Sequence, residues 1–306
     1  MKKAIITGAT GLVGLAVAKY LSKKGIDILC LGRKQLDDIE ISNKFSSGSI
    51  KYLSIKMEDI ISLHEEIKKI GWLPGDSCVF YNFAWGGHDK LTDGEFQDQF
   101  NNAIYCSNAV LSAKKLGCSK FVNVGTIEET FAEGFLRDTK KNIPYNSSQT
   151  NYAISKLASR DMCMMVSYLE KIDYIHTRLS VPLDPNLSNG GYISSVLAKI
   201  NEGKTYEKPN NNQLFDIILT EDVAKAYYLI GQKGKNKADY FIGTSQPKTL
   251  RQYFELFEQS KRGIIDNTAG GNNNKLDNGI FSIDNLVNDT GFVLSSNFED
   301  LIKKLD

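Results

Sequence analysis

Near its N-terminus the chain reads AIITGATGLVG over residues 4–14, and this segment carries the clearest structural signal in the sequence. The β-branched run at 4–7 is typical of a buried strand, and apolar residues recur at helical spacing from Leu12 to Lys24. Glycines between the two patterns let the backbone turn tightly and approach a pyrophosphate. The first turn of the helix offers such a group free N–H donors and a partial positive charge. The segment therefore predicts a phosphate-binding loop.

The next 170 or so residues continue this alternation of short apolar runs and longer amphipathic segments. The runs predict strands at 26–31, 50–55, 78–84, 121–124 and 174–179, and helices at 60–70, 100–116 and 151–169. Near-continuous apolar strands separated by helices are typical of a parallel sheet covered on both faces. The predicted fold class is therefore α/β, with a doubly wound parallel sheet.

Beyond residue 180 the pattern loosens, and polar stretches at 208–213 and 267–279 interrupt it. Helical spacing recurs at 193–200, 221–230, 250–258 and 298–304. We therefore expect a dinucleotide-binding domain over 1–180 and a smaller substrate-binding lobe over 181–306. Some exchange of chain between the two parts is expected.

Composition argues against several classes of partner. Thirty-seven Lys+Arg against 36 Asp+Glu leave a formal charge of +1, so neither nucleic acid nor an anionic membrane surface is an expected partner. Apolar runs fall far short of the ~20 residues that span a bilayer. The five cysteines form no C-x-x-C pair. We expect a reduced cytoplasmic protein without a metal site, in which His64, His88 and His176 are surface or helix residues.

Three tyrosines are followed by a lysine four places on, which in a chain this rich in lysine includes chance pairs. They are Tyr20/Lys24, Tyr52/Lys56 and Tyr152/Lys156. Tyr52 lies in a predicted strand, where residues four apart stand too far apart to meet, and Tyr20 lies on an apolar helix stripe. Tyr152 begins a long predicted helix, where positions i and i+4 are neighbours. Only the third pair is therefore a candidate for joint chemistry.

The spacing G-x-x-G-x-x-G, the Tyr152/Lys156 pair and Thr126 at the end of a predicted strand together resemble the extended short-chain dehydrogenase/reductases. The resemblance runs over the whole chain and implies a Rossmann-type sheet with Thr126, Tyr152 and Lys156 as catalytic residues. Tyr152 would protonate the substrate oxygen, which Thr126 would hydrogen-bond. Lys156 would lower the phenol pKa from ~10 and hold the nicotinamide ribose.

The end of the second strand bears on the cofactor. It reads Leu31-Gly32-Arg33-Lys34, without the acidic residue that NAD-preferring relatives place there. A guanidinium binds a 2′-phosphate in a bidentate manner, so NADP(H) is favoured and NAD(H) is the alternative. The cofactor contacts implied by the resemblance are Gly8, Thr10, Gly11, Leu12, Val13, Gly14, Arg33, Met57, Phe83, Ala84, Tyr152 and Lys156. The implied substrate contacts are Trp85, Gly86, Thr126, Glu128 and Tyr152.

The residues after Thr126 separate the reactions of this family. Ile127 stands where similar dehydratases have an aspartic acid, so dehydration is disfavoured. Glu128 is either an acid or base, or a solvated loop carboxylate. We expect an NADPH-dependent reductase of a nucleotide-linked 4-keto-6-deoxy sugar, in polysaccharide biosynthesis. An NAD-retaining nucleotide-sugar epimerase is the alternative, and a non-catalytic dinucleotide-sensing protein is less favoured.

Two departures from the family concern the substrate phosphates. Phe215 stands where many relatives have a phosphate-binding arginine, and Val181 replaces an asparagine that often contacts the nucleotide. The usual diphosphate contacts are therefore in doubt. Many relatives dimerise through a four-helix bundle, so a homodimer built from the predicted helices 100–116 and 151–169 is an expected partner state.

Overall fold

The computed structural model describes residues 1–45, 50–75, 77–87, 95–140, 149–187, 191–210, 212–261, 279–296 and 298–304. Its strands are β1 (Lys3–Thr7), β2 (Asp27–Gly32), β3 (Ile50–Ser54), β4 (Cys78–Asn82), β5 (Lys120–Thr126), β6 (Asp173–Leu179), β7 (Val181–Leu183), β8 (Leu214–Phe215), β9 (Ile217–Leu219), β10 (Asp239–Ile242) and β11 (Lys248–Thr249). Its helices are α1 (Leu12–Lys23), α2 (Asp38–Phe45), α3 (Leu63–Lys69), α4 (Phe96–Lys115), α5 (Ile127–Arg137), α6 (Thr150–Glu170), α7 (Tyr192–Asn201), α8 (Thr220–Lys233), α9 (Leu250–Lys261), α10 (Asp284–Thr290) and α11 (Phe298–Lys304). A 3-10 helix spans Met57–Ser62.

The central sheet has seven parallel strands in the order β10-β6-β5-β4-β1-β2-β3. The chain runs outward from β1 to β3 on one side and then crosses to β4 on the other side. Ligands of open parallel sheets bind outside the carboxyl ends of the strands at such a reversal. The doubly wound α/β prediction is confirmed, and the ends of β1, β4 and β5 define where a site is expected.

Successive residues of a strand face opposite sides of the sheet, and the core divides accordingly. Ile6 packs with Val17 of α1 and Tyr227 of α8 on one face. Ile5 packs with Cys106 of α4 and with residues around α3 and α6 on the other face. The sheet is therefore buried on both faces, which explains why its strands are almost uniformly apolar.

The chain beyond residue 180 contributes to both parts of the molecule. Strand β10 returns to the central sheet and pairs with β6, and α8 packs on α1. Helices α7, α9 and α11 share a separate apolar cluster that includes Leu197, Phe254 and Ile302. The boundary between a dinucleotide-binding domain over 1–180 and a substrate-binding lobe over 181–306 stays a prediction. In the described part of the chain, no helix has the length and apolar character needed to cross a membrane.

Two predicted elements differ from the structure in an informative way. The helix expected over 60–70 is a 3-10 helix followed by the short α3. The strand expected over 78–84 ends at Asn82, because Phe83 and Ala84 leave the sheet and pass against Gly8. That close approach brings the loop after β4 next to the predicted phosphate loop.

Candidate active site

The predicted phosphate loop has the geometry that a pyrophosphate requires. Gly8 has a φ of +63°, and a Cβ there would lie 2.9 Å from the backbone N of Ala84. A Cβ on Gly14 would overlap the backbone of Gly8, so the helix can begin this close to the strand only with glycine. Gly11 caps α1 without a side-chain hydrogen bond, and no acidic residue lies in the first turn. The N–H groups of Leu12, Val13 and Gly14 are therefore available to an anion.

The end of β2 carries the predicted cofactor-selective residues on its surface. Arg33 and Lys34 are exposed, and the Tyr52 hydroxyl donates a hydrogen bond of 2.8 Å to the Lys34 carbonyl. A Cβ on Gly32 would lie 2.5 Å from the Tyr52 hydroxyl oxygen. Met57 is partly buried where the 3-10 helix begins. The arrangement fits a dinucleotide whose adenosine end lies beside β2.

The loop after β4 is tied to β1 and to α8. The Ala84 N–H donates to the Thr7 hydroxyl at 3.1 Å, and that hydroxyl donates to the Asn82 side chain at 2.8 Å. The Phe83 ring packs against the Tyr227 ring with centroids 4.8 Å apart. These contacts keep Phe83 and Ala84 beside Gly8, as the predicted cofactor contacts require.

Two amides of α4, which the sequence analysis did not single out, hold the next part of this loop. The Trp85 indole N–H donates to Gln99 at 2.7 Å. Asn102 exchanges two hydrogen bonds with the Gly86 backbone, of 2.7 Å to the N–H and 3.0 Å to the carbonyl. Gln99 and Asn102 lie on the buried face of an otherwise amphipathic helix. Amide side chains at positions with apolar spacing are the signal that could have identified them.

The structure brings the three predicted catalytic residues together around Trp85. The Lys156 ammonium lies 3.8 Å from the Trp85 ring centroid and donates to the Val124 carbonyl at 2.8 Å. The Trp85 and Tyr152 rings are perpendicular, with centroids 5.9 Å apart. The side chains of Thr126 and Tyr152 hydrogen-bond each other. Trp85 therefore contacts both members of the Tyr–Lys pair.

The protein's own groups raise the pKa of Tyr152, the reverse of the expected lowering. Burial is the main cause and the charge of Glu129 follows, whereas the hydrogen bond with Thr126 opposes the rise. Burial also lowers the pKa of Lys156 to about 8, although Cys106 and Glu129 favour its charged form. Tyr152 therefore holds its proton at neutral pH, and the ammonium beside it is destabilised by desolvation.

Thr126 caps a helix that the sequence analysis did not predict. Its hydroxyl accepts from the Glu128 N–H at 3.3 Å, and the Glu129 side chain accepts from the Thr126 N–H at 2.8 Å, which forms a capping box. Glu128 is buried in the first turn, and its charge helps raise the pKa of Tyr152. The interpretation of Glu128 as a solvated loop carboxylate was wrong. Ile127 is also buried, in a small apolar cluster with Phe241 and Phe281.

His176 does not lie where the sequence analysis expected it. Its side chain is 2% exposed on β6, and its Nε2 lies 2.8 Å from a carboxylate oxygen of Glu129. The expectation of a surface or helix residue was therefore wrong for His176. His64 is on α3, and His88 lies outside the described residues.

Residues 4–243 match the model of the NAD dependent epimerase/dehydratase family. The chain belongs to this family. It is accordingly an NAD(P)-dependent enzyme of the oxidoreductase type, and the glycine loop and the N–H groups at the start of α1 fit a nicotinamide dinucleotide.

Three curated proteins that are similar to this chain in sequence are named as a reductase, a dehydrogenase and a synthase. The chain is 24% identical over 265 residues to a 2-alkyl-3-oxoalkanoate reductase of Shewanella oneidensis, a match that covers 83% of this chain but 64% of that protein. It is 24% identical over 257 residues to a dTDP-6-deoxy-L-talose 4-dehydrogenase (NAD(+)) of Aggregatibacter actinomycetemcomitans, covering 83% and 88%. It is 22% identical to a CDP-abequose synthase of Salmonella typhimurium, covering 84% and 80%.

Solved structures of the family share the fold along the whole chain. A UDP-glucose 4-epimerase from Thermotoga maritima superposes with a TM-score of 0.74 at 17% identity, covering 98% of this chain and 96% of that one. A dTDP-glucose 4,6-dehydratase from Bacillus anthracis gives a TM-score of 0.74 at 16% identity, covering 100% and 95%. At these identities the likeness establishes the fold alone.

The two departures from the family pattern lie together in the lobe. Phe215 on β8 and Val181 on β7 are partly buried against the apolar cluster of α7, α9 and α11. The neighbouring Asp216 is buried, and it accepts hydrogen bonds from the Thr244 and Ser245 N–H groups at 2.8 and 3.0 Å. The two positions at which the resemblance led us to expect an arginine and an asparagine therefore contribute to an apolar core.

Proposed function

We propose that this enzyme reduces a keto group on a nucleotide-linked deoxy sugar of the 4-keto-6-deoxy hexose type, using NADPH. The observation that carries the proposal is the buried Tyr152, which keeps its proton, hydrogen-bonds Thr126 and lies one helical turn before Lys156. The curated relatives support reduction, because two of them are named as a reductase and a sugar 4-dehydrogenase.

When bound, the nicotinamide supplies the hydride that reduces the carbonyl carbon. Tyr152 donates its phenolic proton to the carbonyl oxygen, and general acid catalysis of this kind contributes typically 10²- to 10⁴-fold. The Thr126 hydroxyl donates a second hydrogen bond to the same oxygen. Lys156 stabilises the phenolate that remains, which is why a charge is kept at a site that disfavours it.

Two observations favour reduction over the other reactions of the family. Ile127, which replaces the acid of the dehydratases, packs against Phe241 and Phe281, so no carboxyl group at that position can expel a hydroxyl. Gly32 and Arg33 occupy the place of the acidic residue that the NAD-retaining epimerases usually carry. An epimerase that retains NAD is the second candidate, since it would use the same Tyr152 and Lys156.

The proposed preference for NADPH rests on Arg33, which is exposed at the end of β2. Its guanidinium would bind the 2′-phosphate, an interaction that an Arg33→Ser variant loses. We expect the ratio of kcat/KM for NADPH to that for NADH to fall about tenfold or more, with kcat little changed. An unchanged ratio in steady-state assays with both cofactors would contradict the assignment.

The proposed homodimer rests on the outer faces of α4 and α6, which pack on each other. They leave Ile104, Met165 and Leu169 exposed, at 47%, 56% and 69%. Several exposed apolar side chains on neighbouring helices are typical of an interface between protein copies. Light scattering that gives the mass of a monomer would contradict this partner state.

The function is tested by NADPH oxidation with a panel of nucleotide-linked 4-keto-6-deoxy sugars. Tyr152→Phe should reduce the rate by a factor of about 10² or more. Tyr20→Phe is the matched control, because Tyr20 on α1 also precedes a lysine by four residues but packs against Tyr228 of α8. Interconversion of a sugar without net NADPH oxidation would replace the reductase by the epimerase.

A further inference from the structure

A buried acid–imidazole pair lies directly behind the proposed proton-transfer site. Glu129 is 0% exposed and uses both carboxylate oxygens. One oxygen accepts from the Thr126 N–H at 2.8 Å, and the other lies 2.8 Å from His176 Nε2. Because an ionised carboxylate only accepts hydrogen bonds, the ring carries a proton on Nε2. Glu129 therefore joins the end of β5 to β6 through two charge-assisted contacts.

The surrounding chain leaves room for this pair. A Cβ on Gly125 would overlap both the Glu129 carboxylate and the His176 ring, so the pair occupies the space that a side chain at residue 125 would take. The far side of the His176 ring is also held, because Nδ1 lies 3.3 Å from the Tyr174 hydroxyl. That hydroxyl contacts the Arg160 carbonyl at 3.2 Å, so the ring is fixed from both sides.

The capping box determines which way the Thr126 hydroxyl can point. Its oxygen accepts a helix N–H on the α5 side at 3.3 Å. Its own hydrogen is therefore directed to the other side, where Tyr152 lies. If Glu129 is lost, the first turn of α5 loses one of its two reciprocal hydrogen bonds, and Thr126 loses the constraint on its backbone N–H.

We propose that Glu129, held in place by His176, is a positioning residue of this enzyme: it orients the Thr126 hydroxyl and fixes a negative charge beside the Tyr152–Lys156 pair. This inference rests on the proposed function for its chemistry. The charge has the expected consequences on both partners, since it raises the pKa of Tyr152 and favours the charged form of Lys156.

Other titratable groups also face this site. They are Glu128 on α5, Lys156 and Cys163 on α6, Cys106 on α4, and Tyr174 and His176 on β6. Glu133, one turn further along α5, is instead paired with Arg160 and Arg178. Glu133 is therefore a matched control for the removal of one carboxylate charge from the same helix.

The primary test is Glu129→Gln, which keeps an acceptor for the Thr126 N–H but removes the charge. Without that charge the pKa of Tyr152 falls, so the alkaline limb of kcat/KM for ketone reduction should move to lower pH by about 1 unit. Glu133→Gln should leave the limb in place. If Glu129 acted in folding alone, Glu129→Gln would lower the melting temperature without moving the alkaline limb of kcat/KM.

A second readout does not depend on turnover. Tyrosinate absorbance is titrated against pH in four proteins: the wild type, Tyr152→Phe, Glu129→Gln and the double variant Glu129→Gln/Tyr152→Phe. Subtracting the curve of each Tyr152→Phe protein from that of its parent gives the titration of Tyr152 alone. The difference curve should move to lower pH with Glu129→Gln. If both the curve and the rate limb stay in place, the inference is refuted. Retention of activity by Tyr152→Phe would instead refute the proposed function.

His176 provides the variants for the case in which Glu129→Gln does not fold. His176→Gln retains an N–H donor for the carboxylate and should keep the wild-type pH profile. His176→Leu leaves Glu129 without that donor, so the carboxylate is no longer held against the Thr126 N–H and kcat/KM should fall below that of His176→Gln. Equal kcat/KM for the two variants would overturn the role assigned to His176.

Discussion

Lys156→Met should make the cofactor-free protein more stable at neutral pH. Burial lowers the pKa of Lys156 from 10.5 to about 8. Keeping the ammonium charged in the fold at pH 7 therefore costs about 3 kcal/mol relative to a neutral side chain. Methionine has a similar shape without the charge, but it gives up the 2.8 Å hydrogen bond to the Val124 carbonyl, worth about 1 kcal/mol. We expect a net gain of about 2 kcal/mol.

The gain should depend on pH in a defined direction. Below pH 8 the lysine is protonated in both the folded and the unfolded state, so the full penalty applies. Between pH 8 and 10.5 the unfolded state binds more protons than the folded state, so the wild type becomes more stable as pH rises. The advantage of Lys156→Met should therefore shrink toward zero by about pH 10.

Urea unfolding followed by far-ultraviolet circular dichroism measures this difference at pH 7 and pH 10. Cysteines and tyrosines titrate over the same range in both proteins, so their contributions largely cancel in the comparison. A Lys156→Met protein that is less stable at pH 7, or a difference that is equal at both pH values, would refute the reasoning. Confirmation would mean that the enzyme keeps a destabilising charge for its chemistry.

Two further substitutions test the packing that positions the site. Gly14→Ala should weaken dinucleotide binding by a factor of about ten or more and lower the melting temperature, because its Cβ overlaps the Gly8 backbone, which has no rotamer to move. Gly134→Ala on α5 is the control, since nothing lies within 4 Å of its Cβ, and this variant should be as stable as the wild type or more stable. Equal losses of dinucleotide affinity in the two variants, measured by calorimetry, would contradict the argument. Lys120→Met should lower the free energy of unfolding, measured by urea unfolding, by about 1–3 kcal/mol. The reason is that Lys120 donates to the carbonyls of Ile230, Gly231 and Gly234 at the end of α8. An unchanged free energy of unfolding would show that water replaces the lysine there.

The sequence allowed the sheet and the phosphate loop to be predicted because their signals are local. A β-branched run, a glycine cluster and a helical period occur within a few residues of each other. The position of β10 is different: it pairs with β6 across about sixty residues, and no local pattern records that pairing. The return of the chain to the central sheet was therefore expected only in general terms.

The candidate site was predictable to a similar degree. Thr126, Tyr152 and Lys156 could be identified from type and spacing, and they lie together in the structure. The first turn of α5 was not predicted as helical, although Thr126 and Glu129 have the spacing of a capping box. His176 gave no signal at all, since a histidine within a strand becomes informative only when its partner on another element is known.

The contact between Gly32 and Tyr52 limits how this enzyme can change its cofactor. An aspartate at residue 32 would place its Cβ 2.5 Å from the Tyr52 hydroxyl. Shortening Tyr52 first would sacrifice its hydrogen bond to the Lys34 carbonyl before any new contact exists. Each single change therefore disturbs an existing contact, whereas changing both residues together removes the overlap. Substitutions at residues 32 and 52 are therefore expected to be epistatic. A library meant to alter the dinucleotide preference should vary the two residues together.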